Sequence, residues 1–163
     1  MEAQKGEKLI IGLIGFIGAG KGTVGEMLST EYGFIQDSFA APLKDAVANI
    51  FGWDRQMVEG ATPVSRAWRE QPDAFWSEKF GYSFTPRLAL QLMGTEAGRN
   101  VFHNDIWVIS LLQRNQHTNV VVTDTRFKNE VEALRKAGGM IVRVRRGENP
   151  DWYHTALRAN TGD

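Results

Sequence analysis

The stretch "GLIGFIGAGKGTVGEML", Gly12 to Leu28, crowds glycine around a single lysine, Lys21, between an apolar run and a helix-like pattern. The apolar run, "EKLIIGLIG", is β-branched and glycine-bounded, which predicts a buried strand over Lys8–Ile14. "GTVGEMLSTEYG" predicts a helix stopped near Gly33. Gly15, Gly20 and Lys21 meet the spacing G-x-x-x-x-G-K at that strand-to-helix junction. Small residues let successive backbone N–H groups converge on an anion without Cβ clashes, and the helix N-terminus adds partial positive charge there. The stretch therefore reads as a phosphate cradle, with Lys21 as its full charge and Thr23 as the hydroxyl next to a bound metal ion. The bland alternative is a glycine-rich turn carrying a surface lysine. A second alternative is a dinucleotide fingerprint on Gly20, Gly22 and Gly25 with Asp37 as the ribose acid. That fingerprint starts too late after the strand and puts its third glycine well inside the helix.

The rest of the chain extends this pattern. "FIQD" is a short strand over Phe34–Asp37, and "APLKDAVANIFG" is a helix with proline near its start and Gly52 past its end. Between Trp53 and Thr85 the periodicity fades into short helices and loops rich in aromatic residues, read as an inserted, mobile cap. "PRLALQLMGTEAGRN" and "NDIWVISLLQRNQ" are two more helices, the second apolar nearly all round and so buried. "NVVVTDT" is a strand over Asn119–Asp124, "RFKNEVEALRKAGG" a helix with Phe127, Val131 and Leu134 on one face, and "MIVRVRR" a strand over Met140–Arg145. Strands alternating with helices predict an α/β fold, a parallel sheet covered on both faces.

Bulk composition narrows the function. A chain of 163 residues suits one domain, residues 1–163, and 42% hydrophobic against 23% charged residues excludes a disordered chain. Lysine plus arginine and the acids both total 19, so no global charge points to nucleic acid or membrane, and any anion site is local. The absence of cysteine excludes thiolate metal sites and cysteine nucleophiles, and the three histidines lack metal-ligand spacing. "LIIGLIGFIGAG" follows two lysines as a signal peptide does, yet no small-residue cleavage site follows and the run is too short to span a bilayer. A cytoplasmic protein is expected.

Several residues are placed to work with the cradle. Asp124 ends a strand expected beside the first, where an acid commonly helps hold Mg²⁺; its bland role is to cap the next helix. Arg126, at the C-terminal edge of the sheet, suits a phosphate clamp. Arg87 and Gln91 share a helix face, with Gly94 and Thr95 at its end, and form either a nucleotide contact or a solvated polar stripe. Lys44 and Arg69 are similar candidates. Trp107 stacks on a base or belongs to the core. Arg143, Arg145 and Arg146 sit near a strand end on both faces, as a phosphate-facing mouth or a charged edge strand.

Together, "GAGKGT", "FAAPLKDA", "PRLALQLMGTE", "DIWV" and "VVVTDTRFKNEVEALRKAGGMIVRVRR" resemble the bacteriophage deoxynucleoside monophosphate kinases, of the P-loop kinase fold. The resemblance covers most of the chain except the Trp53–Phe84 insert. It implies transfer of the γ-phosphoryl of ATP to a deoxynucleoside 5′-monophosphate with Mg²⁺, and it makes residues 53–85 the monophosphate-binding insert. By motif match Gly15, Ile17, Gly18, Ala19, Gly20 and Lys21, followed by Gly22, Thr23 and Val24, hold ATP, with Arg146 nearby. Lys44, Arg69, Arg87, Gln91, Gly94 and Thr95, with Trp107, Asp124, Arg126 and Glu130, surround the monophosphate. Lys21, Arg87, Arg126 and Asp124 carry catalysis, and Thr23 and Asp124 hold Mg²⁺, directly or through water. The loop departs from the family's usual pattern, an acid after "GK", toward the adenylate-kinase form. The family has five parallel strands and four are found here, so a fifth strand and most of a lid begun by residues 147–163 are expected to be missing. A homodimer is the default oligomer. The alternatives are another P-loop small-molecule kinase, or a nucleotide-binding subunit without turnover; a regulatory GTPase lacks its N-K-x-D and D-x-x-G motifs here.

Overall fold

The structure, a computed structural model, describes residues 8–149 together with 151 and 153. Four strands form one parallel sheet: β1 (Ile10–Ile14), β2 (Ile35–Asp37), β3 (Val120–Val122) and β4 (Met140–Arg143), in the order β2-β3-β1-β4. All four sequence-expected strands are present, β3 trimmed at both ends and the others at one. β3 lies between β1 and β2, and its three valines are fully buried, as an apolar run in a covered parallel sheet requires.

Alternation along the strands sorts the core into two layers. Val121 and Leu13 face helix α1 (Lys21–Tyr32), which contributes Val24 and Leu28. Val120, Val122 and Ile10 face the opposite side, against Val108 and Leu111 of α7 (Ile106–Arg114) and Leu134 of α8 (Lys128–Lys136). This is the three-layer α/β arrangement of the P-loop kinase fold. The helix over residues 106–114 is not buried all round as expected: Ile109 is 54% exposed, because only the stripe through Val108 and Leu111 reaches the sheet. Phe127 likewise departs from the expected stripe. It precedes α8 and is half exposed, while Leu134 is fully buried.

A second core lies beside the sheet. Helix α2 (Ala41–Phe51) packs Leu43 and Val47 against Val58 of α3 (Arg55–Glu59), Phe84, and Ala89 of α6 (Pro86–Gln91). Trp53, Trp68, Trp76 and Phe84 of the insert belong to this core, while Phe75, Phe80 and Tyr82 are exposed. Phe84, 2% exposed, meets Phe51, Trp53 and Phe80 at ring distances of 5.1, 6.1 and 4.9 Å. The short helices α4 (Pro63–Arg69) and α5 (Ala74–Phe80) start at Thr62 and Asp73, whose side chains accept the orphan N–H of Ser65 and Trp76. The segment read as one helix from Pro86 onward changes pitch. After α6 it widens into a π-helix over Leu92–Phe102, closed by His103 N–H bonded to Gly98 O, five residues back.

α1 sits close on the end of β3 because position 25 is glycine. A Cβ there would lie 2.8 Å from Thr123 Cγ2. That approach sets Lys21 and Thr23 at the C-terminal edge of the sheet. Gly25→Val is therefore expected to destabilise the protein by about 1–3 kcal/mol through overpacking, read as a lower denaturation midpoint. An unchanged or raised midpoint would show that α1 is not held this tightly.

Candidate active site

Two loops meet at the C-terminal edge of the sheet, the edge where open parallel sheets bind ligands. The first is the glycine loop between β1 and α1. Gly18 and Gly20 have φ of 80° and 98°, conformations that L side chains rarely adopt. The turn is closed by Ala19 N–H to Phe16 O at 3.1 Å, and α1 begins with Val24 N–H to Gly20 O at 3.0 Å. Lys21 curls back over the loop, its Nζ donating to Gly15 O at 2.7 Å and Phe16 O at 3.1 Å. Burial, and then the positive charge of Arg126, hold the Lys21 ammonium below its ordinary pKa. The two cations repel each other here, with the Asp124 carboxylate lining the same cavity.

The second loop follows β3. Asp124 does not cap α8, the helix that follows it. Its Oδ1 and Oδ2 accept from the amides of Phe39, at 2.8 Å, and Ala40, at 3.1 Å, just before α2. Burial raises its pKa, partly offset by those two amides and by Lys44 and Arg126. Glu130 supplies the cap of α8 instead. Its Oε2 accepts from Arg126 N at 2.8 Å and Phe127 N at 2.9 Å, and the residue is only 3% exposed. The buried carboxylate thus fixes the backbone of Arg126, whose guanidinium forms no hydrogen bond or ion pair among the described residues.

Three cavities adjoin around that guanidinium. One of about 270 Å³ is lined by Gly15, Phe16, Ile17, Lys21, Thr123, Asp124 and Arg126. The second, about 370 Å³, has apolar walls from Phe39, Leu43, Leu90, Trp107 and Phe127, and polar ones from Thr95, Arg99, Asp124, Arg126 and Glu130. The third, about 400 Å³, is lined by Arg69, Arg87, Leu90, Gln91, Thr95 and Arg126, three arginines and no acid. Arg126 is common to all three. A further cavity of about 270 Å³ lies between Phe16–Ala19 and residues 144–149, and includes Arg145 and Arg146.

Most of the residues expected from sequence therefore converge. Arg69, Arg87, Gln91 and Thr95 share one cavity, and Gly94, Thr95, Trp107, Asp124 and Glu130 share its neighbour. Some are engaged already. Lys44 lines none of these cavities and pairs with Glu59 at 2.6 Å; Arg87 pairs with Glu70. Trp107 donates its indole N–H to Gly94 O at 2.9 Å, so it is a wall joining the two cores as well as a cavity surface. Arg69 has a buried Nε without a partner among the described residues, and burial followed by the nearby Arg87 lowers its pKa. Thr23 is exposed in the first turn of α1. Arg143 turns aside, donating to Asn149 Oδ1 at 3.1 Å. Of the lid-like segment 147–163, residues 150, 152 and 154–163 lie outside the described residues. Arg99 was not foreseen from sequence, and it faces the central cavity from the π-helix.

The glycine loop, the acid after β3 and the arginine cluster thus lie on one sheet edge, in the strand order of P-loop kinases. Comparison with known proteins narrows this. No family model matches the chain. It is 33% identical over 152 positions to the "Putative deoxynucleotide monophosphate kinase" of Acanthamoeba polyphaga mimivirus, covering 85% of this chain and 74% of that protein. The chain belongs to the deoxynucleoside monophosphate kinase family. By family it is an enzyme, a kinase. A second member, the deoxynucleoside-5′-monophosphate kinase of Escherichia phage T5, is 47% identical over 55 residues, 32% of this chain and 22% of its own. Among the described residues no helix is long and apolar enough to cross a membrane.

The dinucleotide alternative meets a contrary observation. Asp37, its ribose acid, is bound by Arg114 through Nε and Nη2 at 2.8 and 3.0 Å and by Asn115 Nδ2 at 2.6 Å. Burial pushes the Asp37 carboxyl up, but these donors outweigh it and hold the pKa below the ordinary value. Its stabilising contribution is present above the unfolded carboxylate pKa, about 3.9, and is lost as pH falls through the lowered folded value. Arg114→Ala is thus expected to melt below the wild type at pH 7, with the gap closing as pH drops below about 4. A gap that stays constant down to pH 3 would contradict this linkage.

Proposed function

We propose that this kinase transfers the γ-phosphoryl group of ATP to a deoxynucleoside 5′-monophosphate, in line, between the glycine loop and the arginine cavities. The observation that carries the reading is the position of Arg126, whose guanidinium has no hydrogen-bond or ion-pair partner among the described residues and is common to the Lys21 cavity and both cavities beyond it. The loop Gly15–Thr23 with Val24 holds the triphosphate of ATP, Lys21 leaving its loop carbonyls for the β- and γ-phosphates. Arg146 lies on the donor's outer side. Arg69, Arg87 and Arg126 hold the phosphate of the acceptor, with Gln91, Gly94 and Thr95 beside it. Lys44 acts from behind Asp124, whose charge it partly offsets.

In the transfer an acceptor phosphate oxygen forms a bond to Pγ while the bond from Pγ to the bridging oxygen of ADP breaks. The products are a deoxynucleoside diphosphate and ADP. No side chain need remove a proton, because the second pKa of a phosphate monoester is about 6. Catalysis is then alignment plus charge neutralisation, and the insert over residues 53–85 contributes Arg69 and excludes water.

A magnesium ion fits the residues present. It keeps several waters and needs only one or two protein ligands beside the substrate phosphates, so the lack of any three-acid cluster among the described residues is no obstacle. Each oxygen of Asp124 accepts one backbone N–H and retains further acceptor capacity beside the Lys21 cavity. Asp124 and the Thr23 hydroxyl would hold the ion, directly or through water; when bound it neutralises charge on the donor phosphates.

The test is a coupled assay for ADP with and without each deoxynucleoside monophosphate. ADP should form only when an acceptor is present. Lys21→Ala should abolish turnover while the folded spectrum survives, and Arg126→Ala should lower kcat/KM by ~10²-fold or more. Acceptor-independent hydrolysis would make the protein an NTPase, and an active Lys21→Ala variant would refute the phosphate cradle.

A further inference from the structure

The turn between α3 and α4 bears on how the acceptor's phosphate is held, an inference that rests on the kinase reading above. Arg69, the last residue of α4, lines the cavity it shares with Arg87 and Arg126. Its buried Nε has no partner among the described residues, and Nη1 makes a long contact of 3.5 Å to Glu59 O. Burial and the repulsion of Arg87 both act against its charge. A guanidinium in that condition is kept in place by shape rather than by a counter-ion.

The shape is supplied at Gly60, which ends α3 with φ of 71°. A Cβ built there would stand 2.3 Å from Arg69 Cζ, and 2.5 and 2.6 Å from its Nη2 and Nη1. With the central carbon nearest and both nitrogens slightly farther, that Cβ would enter the flat face of the guanidinium. The group therefore lies flat on the backbone at position 60, as its planar form allows. The turn beneath it is braced on both sides. Before it, the Glu59 carboxylate takes Lys44 and Arg55, each at 2.6 Å. After it, Arg66 Nη1 donates to Ala61 O at 2.9 Å, and Thr62 and Ser65 cap the start of α4 reciprocally.

We infer that Gly60 is a positioning residue for the acceptor's phosphate: its missing side chain is the seat that holds the Arg69 guanidinium in the cavity. Carbon contacts settle at about 3.5–4.0 Å, so a methyl group at position 60 would drive the guanidinium off by about 1 Å or more. A misplacement of that size at a substrate clamp can cost ~10²-fold. The displaced group is the tip of a flexible side chain, so the loss falls on acceptor binding more than on the fold.

Two other glycines separate the seat from simple backbone strain. Gly52 and Gly81 end α2 and α5 with φ of 70° and 77°, and a Cβ on either would meet nothing within 4 Å. In the coupled ADP assay, Gly60→Ala should raise KM for the best acceptor by ~10-fold or more and leave KM for ATP unchanged. Gly52→Ala and Gly81→Ala carry the same left-handed strain and should leave the acceptor KM where it is. Adding Gly60→Ala to Arg69→Ala should cost nothing beyond Arg69→Ala alone, because the seat then has no occupant. Circular dichroism checks folding; if Gly60→Ala does not fold, Gly60→Asn, which brings a Cβ but tolerates the left-handed region better, decides.

An unchanged acceptor KM in the folded position-60 variant, an equal rise in Gly52→Ala and Gly81→Ala, or losses that add in the double variant would each overturn the inference while leaving the kinase reading intact. An Arg69→Ala variant with normal acceptor kinetics would refute Arg69 as a phosphate ligand, and the seat with it. If no acceptor is phosphorylated the kinase reading fails, and calorimetric titration with the same monophosphates decides. Binding by the wild type that is weakened alike in Gly60→Ala and Arg69→Ala upholds the seat; binding that is absent, or indifferent to position 60, overturns it.

Discussion

The carboxylate of Glu130 is the contact on which the site depends. Its desolvation is compensated by two backbone amides, those of Arg126 and Phe127, with Arg99 close to its other oxygen. Three consequences follow from this one buried acid. It starts α8, which covers the sheet. It fixes the chain at Arg126, whose guanidinium lies where three cavities adjoin. It also places Phe127 under Arg99, so that one carboxylate organises both the cation common to the three cavities and the cation in the central cavity.

A second constraint is electrostatic. Lys21, Arg69, Arg87 and Arg126 line connected cavities, and of these four cations only Arg87 pairs with an acid, Glu70, among the described residues. Glu59 takes Lys44 and Arg55, and Asp124 spends both oxygens on amides before α2. Lys21 and Arg69 both have lowered pKa values, chiefly through burial and also through a neighbouring arginine. Cations held together in this way repel one another, and an anion among them would relieve that repulsion. The glycine loop adds to the same field through its backbone rather than through side chains.

Much of this was legible in the sequence, for reasons that differ between elements. The loop at Gly15–Thr23 was legible because its chemistry resides in backbone spacing, which the sequence states directly. The strands were legible because a covered parallel sheet demands uninterrupted apolar runs such as Val120–Val122. The shared face of Arg87 and Gln91, with Thr95 beyond it, was legible in their spacing within α6, whereas the arrival of Arg69 from α4 was legible only through family resemblance. Lys44 shows the limit. Its pairing with Glu59 is a tertiary contact between α2 and α3 that no local pattern announces. Arg99 was hidden by helical pitch. At 3.6 residues per turn it would lie roughly 140° around the helix from Gly94, whereas an i→i+5 pitch brings residues five apart toward one face. Both line the central cavity because the segment is a π-helix there. Glu130 was recognised as a site residue, but its capping role was not read, since the N-cap position holds Phe127 rather than a hydroxyl or amide residue.

The central claim is that donor and acceptor occupy adjoining cavities on either side of Arg126 at the same time. It is tested most directly by calorimetric titration with a single molecule that bridges them, an adenosine and a deoxythymidine joined through a pentaphosphate. If the cavities form one connected site of the right span, this compound should bind ~10²-fold or more tightly than ATP or dTMP alone, because the second half binds intramolecularly. An affinity no better than that of ATP would mean that the two cavities are not engaged together, and the account would be wrong.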